Sequence, residues 1–233
     1  MRYAIGEIVL VVIGILIALQ INNWNTDRQE TKELHSYLIS IKNNLNADII
    51  SLKEINHFRH SSISFSKNYL NVAKSDHISI ENFNTVENIK IRTGVFIDTY
   101  FKSKKSGFEG LKNSGLIGKL NGTDLVDGLN SYYYLIDKIG DQETSLNNTI
   151  EALENIAFQE NIRQRLVEIS RIENKETYFA LNQIEIKKLL NHPSMTGANG
   201  RNSYESILPT YYQEATDIAN SLISQIDKMV INE

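Results

Sequence analysis

The chain opens with MRYAIGEIVLVVIGILIALQINNWN, residues 1–25, and this stretch decides how the rest of the sequence is organised. Its apolar run extends without a charged residue from Ile8 to Leu19. A helix from Tyr3 to Trp24 is about 31 Å long, which is close to the thickness of the hydrocarbon core of a bilayer. The two aromatic side chains would then lie at the two membrane interfaces. We therefore predict that residues 1–25 form a transmembrane signal anchor.

A cleaved signal peptide is the alternative for this stretch. Arg2 would be its basic end, but Ala18-Leu19-Gln20 is a poor cleavage signal, because small residues do not stand at both required positions. The flanking positive charges, Arg2 on one side and Arg28 and Lys32 on the other, nearly balance, so orientation is weakly encoded. We predict a single-pass protein of the cytoplasmic (inner) membrane, with the bilayer as one partner and the following domain on the periplasmic side.

Glu7 is the one charged residue between Tyr3 and Trp24. A carboxylate in hydrocarbon is costly and usually has a partner or a role. Gly14 and Ala18 continue the same helical face and form a pair of small residues that would let a second helix approach closely. This seam predicts a homo-oligomer or a membrane protein partner. Alternatively, Glu7 lies near enough to the interface to extend into it beside Arg2.

The N-terminal run YAIGEIVLVVIGILIALQINNWN resembles the opening of an uncharacterised family of single-span membrane proteins abundant in Bacteroidota, a domain of unknown function. A second block, SGFEGLKNSGLIGKL at Ser106–Leu120, is similar to that family as well. Its matching residues are Phe108, Glu109, Leu111, Lys112, Ser114 and Gly115, followed by Tyr132, Tyr133 and Tyr134. The resemblance implies one N-terminal span and a helical extramembrane domain. It implies no activity and no catalytic residue.

Residues 26–233 read as one soluble helical domain. The chain has 24 Lys and Arg against 28 Asp and Glu, so no bulk positive charge favours nucleic acid as a partner. It has no cysteine, which excludes disulfides and thiolate chemistry, and 2 prolines, which allows long helices. We expect no cofactor.

Helical periodicity dominates the domain and predicts an all-α fold, an elongated antiparallel bundle behind the membrane helix. Three long stripes of apolar residues recur at steps of three and four: Leu34, Leu38, Ile41, Leu45, Ile49, Leu52 and Ile55; Leu125 through Ile156; and Ile207, Tyr211, Ala215, Ile218, Leu222, Ile226 and Met229. No residue between Trp24 and the first stripe breaks a helix, so the membrane helix is expected to continue as a stalk to about Val72.

Shorter signals fill the intervals between these stripes. Ser79 is a predicted N-cap of a short helix, and Ser106 with Glu109 matches a capping box. Gly115 is expected to end that helix in left-handed geometry. His192–Gly200 contains proline, two glycines and asparagine and is predicted to be a loop.

One local pattern suggests chemistry. Glu54, His57 and His60 follow the helical spacing that places a carboxylate and imidazoles on one face, as in di-iron bundles. A di-iron site needs a second Glu-x-x-His, and the sequence lacks one, so a solvated helix face is the competing interpretation.

These observations favour a membrane-tethered helical interaction module with a ligand-sensing, scaffold or assembly role. The alternative is a small-molecule or metal-dependent function within the helical bundle. No motif identifies an enzyme.

Overall fold

The computed structural model describes residues 2–87 and 94–231, with side chains from Leu10 onward and up to residue 230. All regular structure in these residues is helical, which confirms the all-α prediction. The helices are α1 (Arg2–Ala73), α2 (Ile80–Glu87), α3 (Ser106–Asn113), α4 (Asp124–Gln159), α5 (Ile162–Ser170), α6 (Lys175–Leu181), α7 (Gln183–Leu190), α8 (Pro193–Ser203) and α9 (Ile207–Ile231), with a 3-10 helix at Leu116–Leu120.

Helix α1 is continuous, as the unbroken sequence from Trp24 predicts. Every side chain from residue 10 to residue 29 is exposed, and the first fully buried one is Leu38. Among the residues described, no helix is both long and apolar enough to cross a membrane, so the predicted span is not confirmed. Tyr3 and Glu7 lie outside the described side chains, and that finding therefore covers the predicted span only in part.

The chain divides into two compact units. Unit 1 contains the first part of α1 together with residues 104–130 and 220–233. Its core combines α1, α3, the 3-10 helix and parts of α4 and α9, through Leu38, Ile41, Leu45, Leu111, Leu120, Leu129, Leu222 and Ile226. Six of these eight residues belong to the predicted apolar stripes, whereas Leu111 and Leu120 lie in the block at Ser106–Leu120. Their burial removes apolar surface from water and so stabilises the packing of the helices.

Helix α3 lies very close to α1 in unit 1. A Cβ atom added at Gly107 would be 2.6 Å from the Ile41 backbone nitrogen. The capping box predicted here is wrong, because Ser106 is already the first helical residue and Lys105 is the N-cap. The Lys105 side chain makes no capping hydrogen bond. Instead, the Gly107 N–H donates to Asn44 Oδ1 at 2.9 Å, so α1 itself satisfies a first-turn amide. Gly115, at φ 76°, has the left-handed geometry expected of it.

Unit 2 contains residues 48–103 and 131–219. One part of its core is a cluster that includes Tyr69, Phe83, Ile169, Phe179, Ile186 and Met195. The predicted Ser79 cap is confirmed, because the Asn82 N–H donates to Ser79 Oγ at 3.0 Å. Helix α9 begins beside Glu205, whose Oε1 accepts from the Ile207 and Leu208 amides at 3.0 and 3.1 Å.

The predicted loop His192–Gly200 is wrong, because Pro193 begins helix α8. Proline is well suited to the first helical position, where its missing N–H has no intrahelical partner. The side chain of His192 accepts a hydrogen bond from the Ser194 N–H and caps the helix. The buried face of α8 includes residues at helical spacing, namely Met195, Ala198, Asn199 and Asn202. Two of these four are polar, so the sequence shows no apolar stripe that would predict a helix here.

Candidate functional site

Unit 2 contains a cluster of buried charged and polar side chains. Arg59 is 2% exposed and Glu143 is fully buried. Glu143 accepts hydrogen bonds from the Tyr212 hydroxyl, at 2.6 Å, and from the Phe101 N–H, at 2.9 Å. Arg59 Nη2 donates to Thr99 Oγ1 at 2.5 Å. Polar side chains of α1 and α4 therefore hold the segment that contains Thr99 and Phe101, and Tyr212 of α9 bonds to Glu143.

This segment, residues 94–103, has no regular secondary structure, so its backbone groups need partners elsewhere. Asn147 Nδ2 donates to the Thr99 carbonyl at 3.1 Å. Ser103 donates to Asp48 Oδ2 at 2.5 Å, and the same oxygen accepts from the Tyr132 hydroxyl at 2.9 Å. The buried polar cluster thus attaches an irregular segment to the surrounding helices, which is a structural role.

Burial raises the pKa of Glu143 above its ordinary value. The hydrogen bonds from Tyr212 and Phe101 and the positive charge of Arg59 oppose that increase without cancelling it. Because Glu143 and Tyr212 are both fully buried and already bonded to each other, a substrate could not reach either group. The cluster therefore contains an acid–base pair that is closed to solvent and substrate, and we assign it no catalytic role.

A cavity of about 190 Å³ lies beside the same irregular segment, within unit 2. Gly94 and the following residues Val95, Phe96 and Ile97 form one side of it. Most of the remaining lining is apolar: Phe65, Tyr69, Val86, Leu166, Val167, Leu190 and Met195. The polar cluster, which holds residues 94–103 in place, therefore also positions one wall of this cavity.

Asn199, from α8, contributes the buried polar group of the cavity lining. It is 1% exposed, and its Nδ2 donates to the Met195 carbonyl at 2.9 Å. That bond fixes the orientation of the amide, since the reversed amide would place two carbonyl oxygens together. Asn199 Oδ1 accepts no hydrogen bond from any group in the described part of the chain. The Tyr69 hydroxyl, in contrast, is satisfied by the Leu190 carbonyl at 2.8 Å.

Arg163 is the charged residue of the lining. It forms an ion pair with Glu154, and its guanidinium lies 4.6 Å from the centre of the Phe96 ring. The carboxylate balances the charge of Arg163, and the aromatic contact orients its planar head group. The cavity lining is therefore mostly apolar, and its one charged side chain, Arg163, is paired with Glu154.

The predicted metal ligands Glu54, His57 and His60 are all exposed on α1. Throughout residues 2–87 and 94–231, no three His, Asp or Glu side chains are grouped so that they could hold a metal ion. The structure therefore does not gather these three residues into a ligand set.

The predicted seam residues Gly14 and Ala18 are exposed on α1, and a Cβ atom added at Gly14 would meet nothing within 4 Å. Trp24, predicted at a membrane interface, is 64% exposed, with the Arg28 guanidinium 5.7 Å from its ring centre. Glu7 and Tyr3 lie outside the described side chains. The seam and the interface assignment stay predictions.

The sequence comparisons give a family but no activity. No curated protein matches the chain, and no solved structure matches it. A family of unknown function, DUF6090, matches residues 7–147, which include α3 and every member of the buried polar cluster except Tyr212. Because this match covers more than half of the sequence, the chain belongs to the DUF6090 family, whose function is unknown.

Proposed function

We propose that this protein is a membrane-tethered helical module, in which the start of α1 anchors the chain in a bilayer and the helical units act by binding partners. One observation carries the proposal. Ten large apolar side chains of α1 are between 47% and 71% exposed: Leu10, Val11, Val12, Ile13, Ile15, Leu16, Ile17, Leu19, Ile21 and Trp24. We call Leu10–Trp24 the apolar N-terminal stretch.

The exposed side chains of this stretch surround α1 instead of lying along one face. A helix of a soluble protein normally has a polar face, whereas residues 10–26 contain no charged residue at all. Burying ten such side chains in hydrocarbon would stabilise the chain by on the order of 10 kcal/mol. Charged residues become frequent from Asp27 onward, where α1 would leave the bilayer.

We expect the full-length chain to remain in the membrane pellet after alkaline carbonate extraction. The variant Ile13→Lys/Ile17→Lys should move to the aqueous fraction, because each lysine in the middle of a span costs about 2.5–3.5 kcal/mol on insertion. The matched control is Ile39→Lys/Ile50→Lys on the same helix. Its two positions are 47% and 61% exposed, against 47% and 52% for Ile13 and Ile17.

The control variant should fractionate like the wild-type chain, since Ile39 and Ile50 lie beyond the apolar N-terminal stretch. Recovery of the intact wild-type chain in the aqueous fraction without detergent would contradict the proposal. Movement of both lysine variants to the aqueous fraction would contradict it as well, because two added surface charges anywhere on α1 would then explain the result.

We further propose that two copies of the chain associate through Gly14 and Ala18. Gly14→Leu should reduce dimer capture by chemical cross-linking in native membranes by about tenfold, because close helix approach requires small residues. The substitution should not disturb the packing within one chain, since no described atom lies within 4 Å of the added Cβ. Leu16→Phe, on the opposite side of the helix, should leave the dimer unchanged. Capture of monomers alone, before and after Gly14→Leu, would remove this proposal.

A further inference from the structure

We propose that an open groove in unit 1, at the end of the apolar N-terminal stretch, binds the headgroup of an anionic phospholipid, and that Arg28 and Lys32 bind its phosphate. The proposal rests on the membrane tether proposed above, and it adds the class of lipid that the chain prefers. We call this site the juxtamembrane groove. Its lining includes Trp24, Asp27, Arg28, Lys32 and His35 from α1 and Val230 from α9.

Arg28 and Lys32 supply the positive charge of the juxtamembrane groove. Both side chains are exposed, and neither forms an ion pair with a carboxylate in the part of the chain that the structure describes. The Arg28 guanidinium lies 5.7 Å from the centre of the Trp24 ring. Steps of four residues place these three side chains on one side of the helix. One phosphate group can therefore contact both cations while its acyl chains lie beside the indole.

The carboxylates near the groove have a cation of their own. Lys119 Nζ, from the 3-10 helix, lies 2.6 Å from Glu30 Oε2 and 3.6 Å from Asp27 Oδ1. Glu33, the next carboxylate along α1, is not part of the lining. The lining therefore holds two cations against the single carboxylate of Asp27, and the ion pair with Lys119 weakens the repulsion between that carboxylate and a phosphate. The charge of the groove complements an anion.

The position of the groove along α1 matches the depth of the headgroups. Arg28 and Lys32 follow Trp24 by four and eight residues, which is about 6 and 12 Å along the helix axis. The polar layer of each leaflet extends about 5–8 Å beyond the hydrocarbon. Helical side chains point back toward the N-terminus, which here is the direction of the bilayer. Both cations can therefore extend into the phosphate layer when Trp24 lies at the edge of the hydrocarbon.

Trp24 is the only tryptophan in the chain, so its fluorescence reports on this groove alone. The test reconstitutes the full-length chain in phosphatidylcholine vesicles that contain either brominated phosphatidylglycerol or brominated phosphatidylcholine. Bromine on the acyl chains quenches tryptophan fluorescence on contact, and free phosphate gives no such signal. Half-maximal quenching should need about fivefold less of the anionic lipid, because each cation near anionic lipid strengthens binding about fivefold and salt screens part of that gain.

Three variants identify the groups responsible. Arg28→Gln/Lys32→Gln should remove the preference for the anionic lipid, whereas Arg28→Lys/Lys32→Arg retains both charges and should keep it. The matched control, Lys53→Gln/Lys67→Gln, removes two exposed lysines of the same helix and should keep the preference as well. Both control positions are more than about 40 Å from Trp24 along the axis, far beyond the screening length of about 10 Å. Each variant is compared with itself in the two lipids, so any change in its intrinsic fluorescence cancels.

The outcomes separate this proposal from the tether. Equal quenching of the wild-type chain by the two brominated lipids would overturn the lipid preference and leave the tether intact. Absence of quenching by either lipid would show that Trp24 does not meet the bilayer, and it would overturn both. A preference that survives Arg28→Gln/Lys32→Gln would overturn the assignment of the phosphate to these two cations.

Discussion

Replacing Arg59 by methionine should lower the free energy of unfolding by about 3–5 kcal/mol, because the buried carboxylate of Glu143 would lose a compensating positive charge and Thr99 would lose a hydrogen-bond donor. Arg59 is 2% exposed and carries the positive charge that stabilises the carboxylate of Glu143. It also donates to Thr99 in the irregular segment. Methionine is about as long and can fill the space of the aliphatic stem, so the loss comes mainly from charge and hydrogen bonding. Urea unfolding followed by circular dichroism measures the effect.

The pH dependence of that loss identifies its cause. Burial already raises the pKa of Glu143, and removing Arg59 raises it further. A carboxyl group with a raised pKa in the folded state binds its proton more tightly there than in the unfolded chain. Stability is therefore lost as pH rises from the unfolded value, about 4.3, through the folded value. We expect the deficit of Arg59→Met to be larger at about pH 8 than at about pH 4.5.

Two control variants separate this effect from a general loss of arginine. Arg165 pairs on the surface with Glu185 and Glu168, so Arg165→Met should cost no more than about 1 kcal/mol. Adding Glu143→Gln to Arg59→Met should remove most of the pH dependence. If Arg59→Met costs less than 1 kcal/mol and leaves the pH profile of the wild-type chain unchanged, then Arg59 does not balance the charge of Glu143.

The long helices were predictable because their apolar residues follow the helical period. The stripe from Leu34 to Ile55 lies in α1, and the stripe that begins at Ile207 is α9 almost residue for residue. Tyr132 shows the same logic on a smaller scale. Three consecutive tyrosines must point in different directions on a helix, and Tyr132 is fully buried whereas Tyr134 is 63% exposed.

The cavity and the buried polar cluster could not be predicted, because their key residues contradict the rule that polar groups lie outside. Arg59 and Glu143 read as members of solvated faces, since charged residues are seldom fully buried. Asn199 lies in a stretch of proline, glycine and asparagine that favours a loop, whereas Pro193–Ser203 forms helix α8. Periodic burial of polar residues leaves no hydrophobic pattern in the sequence.

The block at Ser106–Leu120, by contrast, resembles a family block, and the close packing of α3 on α1 gives its glycine at position 107 a physical reason. Replacing Gly107 by alanine should lower the free energy of unfolding by about 3 kcal/mol, because the added Cβ would overlap the backbone of α1. It would lie 2.6 Å from the Ile41 nitrogen and 2.9 Å from the Ser40 carbonyl carbon. Backbone atoms within a helix cannot move aside as a flexible side chain can, so α3 must shift.

The same substitution elsewhere in the chain should have the opposite sign. Gly140 lies inside α4, and a Cβ atom added there would meet nothing within 4 Å. Gly140→Ala should therefore raise the free energy of unfolding by about 0.5–1 kcal/mol, because alanine loses less backbone freedom in a helix. Thermal unfolding of both variants, followed by circular dichroism, compares them directly.

A shift of α3 has a second consequence that can be measured. The Gly107 N–H would lose its bond to Asn44 Oδ1, and the first turn of α3 would lose its cap. Hydrogen exchange at the amides of α3 should therefore accelerate in Gly107→Ala, whereas exchange in α8 should stay at the wild-type rate. A neutral or stabilising effect of Gly107→Ala would mean that α1 and α3 can separate without cost, and the glycine would then have no packing role.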